Sequence, residues 1–215
     1  MTVVALDSLF LQGVIGLRVR VCNRSDSNCT TPLGGLEGVT GAGGYVTFEN
    51  IPVQSGRTAF DGFFEIIDPK GERMPTLVFI EPAIVRGART VQVPSFTTVA
   101  RGTIEETLGV SPDPRTALIG VRPIDCAGAE GAGVKLSLDG EPPEPVRFYL
   151  SHRLPTVAAR DSATDDELAF GGFVAVPPGS TTVRGRWAAN DAELFGAPIY
   201  VRERGFTYVS FTARP

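Results

Sequence analysis

Two stretches that echo each other decide how this chain is read: TGAGGYVTFENIPV at residues 40–53 and TDDELAFGGFVAVPPG at residues 164–179. Each opens on a threonine in a polar turn and runs into a short strand with phenylalanine directed inward. Each closes on (Asn/Ala)-(Ile/Val)-Pro, and the second continues through Pro-Gly into STTVRGRW (180–187). A pattern that recurs once, far along the chain, implies two copies of one unit rather than a single large sheet system.

Working outward, strand candidates surround both stretches. In VIGLRVRVC (14–22), Ile15, Leu17, Val19 and Val21 alternate with Gly16, Arg18 and Arg20, the period-two signature of a half-buried strand. GYVTFENIP (44–52) places Tyr45 and Thr47 on one face, and Val46 and Phe48 on the other. FDGFFEIID (60–68), PTLVFIEPAIV (75–85) and RTVQVPSF (89–96) follow, the last reading as an edge because of its proline. The second half offers ALIGVRPID (117–125), GVKLSLDG (133–140), EPVRFYLS (144–151) and ELAFGGFVAVPPG (167–179). TTVRGRWAA (181–189), APIYVRER (197–204) and FTYVSFTA (206–213) complete it. Between the halves, Val99, Ile104 and Leu108 recur at helical spacing within 97–111, with Gly109 as a C-terminal stop. SPDPRT (111–116) reads as a linker, because each proline forces its predecessor out of the helical region. The expected fold is all-β: two tandem antiparallel β-sandwiches, residues 1–96 and 117–215, joined by a short helix and proline-rich linker at 97–116.

The Thr-(Asp/Gly)…Gly…Phe…(Ile/Val)-Pro cadence resembles the carboxypeptidase-regulatory-like, or transthyretin-like (prealbumin-like), β-sandwich domains. LIGVRPIDCAGAEGAGVKLSL (118–138) looks like their first strand and turn, and TDDELAFGGFVAVPPG like their later turn, strand and Pro-Gly corner. In the first half, FDGFFEIIDPKGERMPTLVF (60–79) resembles the same position in two-domain surface proteins of soil and marine predatory, myxobacteria-type bacteria. The resemblance implies a fold and says little about activity. A urate-pathway hydrolase shares this fold, but its site needs several histidines and a Tyr-Arg-Gly-Ser terminus; this chain has one histidine and runs out in SFTARP.

Composition narrows the function classes. A net charge of −4 and a pI near 5.1 argue against a sequence-independent grip on nucleic acid. No apolar run reaches the length of a membrane span. MTVVALDSLFLQG (1–13) lacks a basic n-region and carries Asp7, so it is not an intact signal peptide. If the protein is exported, a signal or lipid anchor is expected ahead of Met1.

No residue set points to catalysis. His152 has no Gly-x-Ser-x-Gly elbow to serve and reads as a turn or strand-edge histidine. Cys22 and Cys29 flank six residues, too many for a zinc knuckle, and Cys126 lies far away, so no metal is expected from them. They read instead as a disulfide, with Cys126 left single. The acidic loop holding Asp161, Asp165 and Asp166 is the better calcium candidate, although its spacing is not that of an EF-hand. Lys135 and Asn190 are the pair to weigh for an isopeptide crosslink, but Asn190 sits in a loop. Trp187, Tyr200 and Tyr208 could form a sugar-stacking platform, with core packing as the competing role. The expectation is a non-enzymatic, cofactor-free β-sandwich protein with a structural or adhesive role at the cell surface or in the periplasm. Carbohydrate or peptide binding is the alternative, and self-association through the edges RTVQVPSF and FTYVSFTA a further option.

Overall fold

The computed structural model describes residues 1–8, 11–53, 59–81, 90–125, 128–139, 145–151, 154–156, 164 and 168–212. The chain divides into two compact units, Met1–Ala100 and Arg101–Pro215.

The first unit holds β1 (Thr2–Asp7), β2 (Arg18–Asn23), β3 (Glu37–Val39), β4 (Tyr45–Thr47), β5 (Gly62–Ile67), β6 (Thr76–Glu81) and β7 (Thr90–Ser95). One of its sheets runs β4-β1-β7. The other runs β6-β5-β2-β3. Phe48, just after β4, meets Phe64 of β5 with ring centroids 6.0 Å apart, and Phe60 meets Phe64 at 5.6 Å. The Phe48 contact joins the two sheets into a β-sandwich-like fold around Val19, Val21, Ile66, Val78 and Ile80, all buried.

The one α-helix among the described residues, α1 (Thr98–Thr107), spans the division between units. Gly109 terminates it with a left-handed φ of 69°, and Val110 N–H reaches back to Glu105 O at 2.8 Å. The apolar residues do not set its buried face as their spacing suggests. Leu108 is buried, but Val99 is 78% exposed, and Arg101 and Glu105 are buried in its place. They can be buried because each neutralises the other across one helical turn, with Arg101 Nε 2.7 Å from Glu105 Oε1.

The second unit holds β8 (Ala117–Ile124), β9 (Val134–Leu138), β10 (Val146–Ser151), β11 (Leu154–Thr156), β12 (Gly171–Val176), β13 (Gly179–Trp187), β14 (Glu193–Val201) and β15 (Phe206–Thr212). Its sheets run β11-β10-β12-β8-β15 and β14-β13-β9. Phe195 of β14 stacks on Phe211 of β15 at 3.9 Å and links the two layers.

The two units share one strand plan. β1 lies between β4 and β7 as β8 lies between β12 and β15; β5 lies between β2 and β6 as β13 lies between β9 and β14. The echoing stretches supply β4 and β12, which occupy the same place. Their threonines explain why the pattern recurs. Thr40 Oγ1 accepts Leu17 N–H at 3.0 Å and donates to Val14 O at 2.7 Å. Its backbone bonds Leu17 O and receives Gly16 N–H. Thr164 repeats all four bonds: Oγ1 accepts Val134 N–H at 3.1 Å and donates to Gly131 O at 2.9 Å, while its backbone serves Val134 O and Gly133 N–H. Gly16 and Gly133 precede the clamped residue with φ of 86° and 77°, a region that favours glycine.

Two expectations are corrected here. The sheets are not wholly antiparallel: β1 pairs with β7 in parallel over six residue pairs, and β15 pairs with β8 in parallel over seven. The 14–22 strand starts only at Arg18, because Gly16 turns the chain, and this leaves Ile15 66% exposed.

Candidate functional site

The outer face of β2, β5 and β6 mixes charged with aromatic and apolar side chains, most of them buried. Register sets Cys22 opposite Phe63 and Phe63 opposite Phe79, with Arg20 opposite Glu65 in the neighbouring row. The loop after β2 folds back over this face, and Cys22 and Cys29 close it as a disulfide with Cα atoms 5.3 Å apart. Asp26 shapes the loop: its carboxylate accepts Thr30 Oγ1 at 2.8 Å and Thr31 N–H at 3.1 Å. The Thr31 amide bond, ahead of the Thr30 hydroxyl, holds the Asp26 carboxyl below its usual range. Beneath the loop, Phe63 stacks on Phe79 at 5.3 Å, and the Arg24 guanidinium lies 5.4 Å from the Phe79 ring centre.

Glu65 is buried beside the disulfide, and its ligand oxygen and the two sulfurs all lie within 4.8 Å of one another. That trio does not make a metal centre in the oxidised chain. The sulfurs are bonded to each other, and Glu65 is held by Arg20 Nε at 2.6 Å and by Arg20 Nη2. The disulfide therefore fixes a loop over a small aromatic and ionic cluster. Reducing it, or replacing both cysteines by alanine, should lower stability by about 2–3 kcal/mol on the chain-entropy account. Urea titrations of oxidised and reduced protein, compared by midpoint, check this value.

The three candidate platform aromatics do not converge. Trp187 ends β13 at 39% exposed, and its ring lies over Gly133, where a methyl would stand 3.5 Å from the ring. Its backbone is bonded to Ala192 O and Asp191 N–H, and Ala188 N–H bonds Gly133 O. Tyr200 pairs with Ser180, seven positions back along β13 from Trp187. That is about 23 Å of strand, too far for a shared sugar ring.

Tyr208 is 1% exposed, between Phe170 and Phe206 with centroids at 6.5 and 6.2 Å. Its hydroxyl hydrogen-bonds Arg122, which is also bound to Glu130 through Nη2 and through Nε at 3.1 Å. Burial pushes the Tyr208 phenol up to about 12, against the opposing pull of Arg122. The unfolded chain ionises this group near 10 while the folded chain keeps its proton. Stability should therefore fall as pH rises from about 10 to 12, by about 2–3 kcal/mol, and Tyr208→Phe should flatten that slope. Denaturation midpoints across this pH range provide the measurement.

Of the remaining candidates, Lys135 and Asn190 are both exposed, and Asn190 Oδ1 accepts Ala192 N–H at 3.1 Å within the β13–β14 turn. A crosslink shielded in a sandwich core does not fit that placement. His152, Cys126, Asp161, Asp165 and Asp166 lie outside the described residues. No described helix is long and apolar enough to cross a membrane.

Sequence reasoning missed how the edge of β9 is closed. Val134 N–H and C=O bond Thr164, Leu136 N–H donates to Tyr149 Oη at 2.8 Å, and Leu136 O accepts Arg147 Nη1 at 2.9 Å. The only sequence signal was the alternation of long polar side chains on the facing strand β10. On the outer surface of β9, β13 and β14, Arg184 forks onto Asp139 at 2.5 and 2.7 Å and touches Glu193 at 3.2 Å. These exposed pairs contribute little to stability.

No family model and no curated protein matches the chain. Among solved structures it is similar to the Bacillus anthracis TIE protein, at 9% identity and a TM-score of 0.30, covering 98% of this chain and 32% of that one. The chain thus spans about a third of that protein's length. It is also similar to the shaft pilin SpaA from Lactobacillus rhamnosus GG, at 11% identity and a TM-score of 0.28, covering 100% and 97%. A family CBM26 module from Eubacterium rectale in complex with maltoheptaose shows 10% identity and a TM-score of 0.32, covering 98% and 92%. Likenesses at this level leave the chain's own residues to carry its function.

Proposed function

We propose that this is a non-enzymatic, extracytoplasmic protein of two tandem transthyretin-like β-sandwich domains with a structural or adhesive role. The disulfide is the observation that carries the reading. Disulfides persist in oxidising compartments, and this one fastens a loop onto a sheet beside a carboxylate, Glu65, that is committed to Arg20. The buried polar groups are likewise committed to architecture: Glu65 to Arg20, Glu105 to Arg101, and Thr40 and Thr164 to their clamps. Fractionation of the native cells with thiol counting tests this. The protein should be found outside the cytoplasm with Cys22 and Cys29 oxidised; cytoplasmic protein with three free thiols would overturn the proposal.

One observation favours carbohydrate binding as a second reading. Trp187 offers a half-exposed ring over Gly133, beside Arg186 and Asp191, which pair at 2.9 Å. A glycan array followed by quenching of this single tryptophan decides it, and silence across the array removes it.

A further inference from the structure

In each unit the first strand lies beside the last, and the two run in the same direction. The chain therefore enters a unit at one end of a parallel ladder and leaves at the other. Tension carried along the chain pulls β1 and β7 past one another along their own length, and does the same to β8 and β15. Parallel ladder bonds are evenly spaced, so they share such a load and must fail together. Were the same pair pulled from one end only, its bonds would fail in turn, each bearing the whole force.

Two further features strengthen the ladders against sliding. Each inner strand is held on both edges, β1 by β4 and β7, and β8 by β12 and β15. The ends are also tied. Arg73 Nη2 binds Asp7 at the finish of β1 at 2.7 Å, while Arg73 Nη1 donates to Ser95 O at the finish of β7 at 3.0 Å. At the start of the second ladder, Leu118 N–H bonds Gly205 O and Arg204 N–H bonds Thr116 O, both at 3.1 Å.

We infer that each unit is a load-bearing module, built to resist tension applied along the chain through its parallel first-and-last strand pair. This deepens the structural reading by specifying the work done, but it is a property of the fold and holds wherever the protein resides.

Single-molecule pulling on the full oxidised chain tests it in two geometries. In the first, handles sit at the two chain ends and load both ladders in shear. In the second, handles at Arg115 and Glu203, both exposed, peel β15 from β8 starting at one end. The unit 1 event is recognised because reduction frees the seven residue steps closed by the Cys22–Cys29 bond, lengthening its release by about 20 Å once the 5.3 Å span of the bridge is subtracted. The unit 2 event does not change on reduction. Its rupture force is expected to be severalfold lower in the peeling geometry, with unchanged denaturation midpoints confirming that the handles leave the fold intact. If a handle shifts the midpoint, the pair moves to Pro112 and Glu203. Equal forces in the two geometries, or an easier rupture in shear, would overturn the inference. A chain strong in shear but found in the cytoplasm would overturn only the localisation.

Discussion

Replacing Arg101 by methionine should lower the unfolding free energy by about 3–5 kcal/mol, the usual cost of leaving half of a buried ion pair behind. The side chains of Arg101 and Glu105 are 8% and 2% exposed, so neither charge has water to fall back on. Arg101 also donates to Thr116 O and Asp113 O at 2.9 Å, and to Thr116 Oγ1 at 3.0 Å. It thereby binds the helix to the turn that leads into β8, and the single substitution frees those acceptors as well. Replacing Glu105 by leucine in the same chain should recover most of the loss, because the stranded carboxylate is then gone. Trp187 is the only tryptophan and lies in the second unit, so its fluorescence in urea reports this transition. A loss below about 1 kcal/mol in the single variant would mean that the pair is solvated in solution.

Thr164→Val should cost about 2–4 kcal/mol, since it keeps the shape of the side chain and removes both clamp bonds. Val134 N–H loses its acceptor and Gly131 O its donor, in a site where Thr164 is 4% exposed. Thr164→Ser should retain most of the stability because the hydroxyl survives. Thr40→Val should be similarly costly in the first unit, by the same pair of bonds. The contrast between valine and serine separates lost hydrogen bonds from lost volume, and urea midpoints read it directly.

The echo of 40–53 and 164–179 was legible because a buried threonine ahead of a strand with an inward phenylalanine, Phe48 or Phe173, leaves a fixed mark in sequence. The parallel pairing was not. Thr2 and Thr90 face each other across 88 positions, and a strand buried on one side shows the same alternation whichever way its neighbour runs. β1 itself was overlooked: TVVALD was weighed only as part of a targeting segment, although Val3 and Ala5 are fully buried in its sheet. The face of α1 was misassigned because hydropathy ranks Val99 above Arg101, whereas mutual neutralisation puts the arginine inside. Tyr208 stood open between platform and core because nothing in FTYVSFTA shows that Phe206 through Phe211 are buried on both sides. The Cys22–Cys29 disulfide was legible, because six intervening residues are too many for a zinc knuckle and enough for a loop to turn back on itself.

The guarded edge of β9 has a consequence for how such a unit behaves in a crowd. In the first unit, a short strand of backbone, β3, covers the flank of β2. In the second, the equivalent flank is sealed by a phenol, a guanidinium and a hydroxyl. A strand can be displaced only by another strand, but a side-chain seal can be undone by a single base change. Solubility at high local concentration, where many copies stand side by side, thus rests in large part on three side-chain atoms, Tyr149 Oη, Arg147 Nη1 and Thr164 Oγ1.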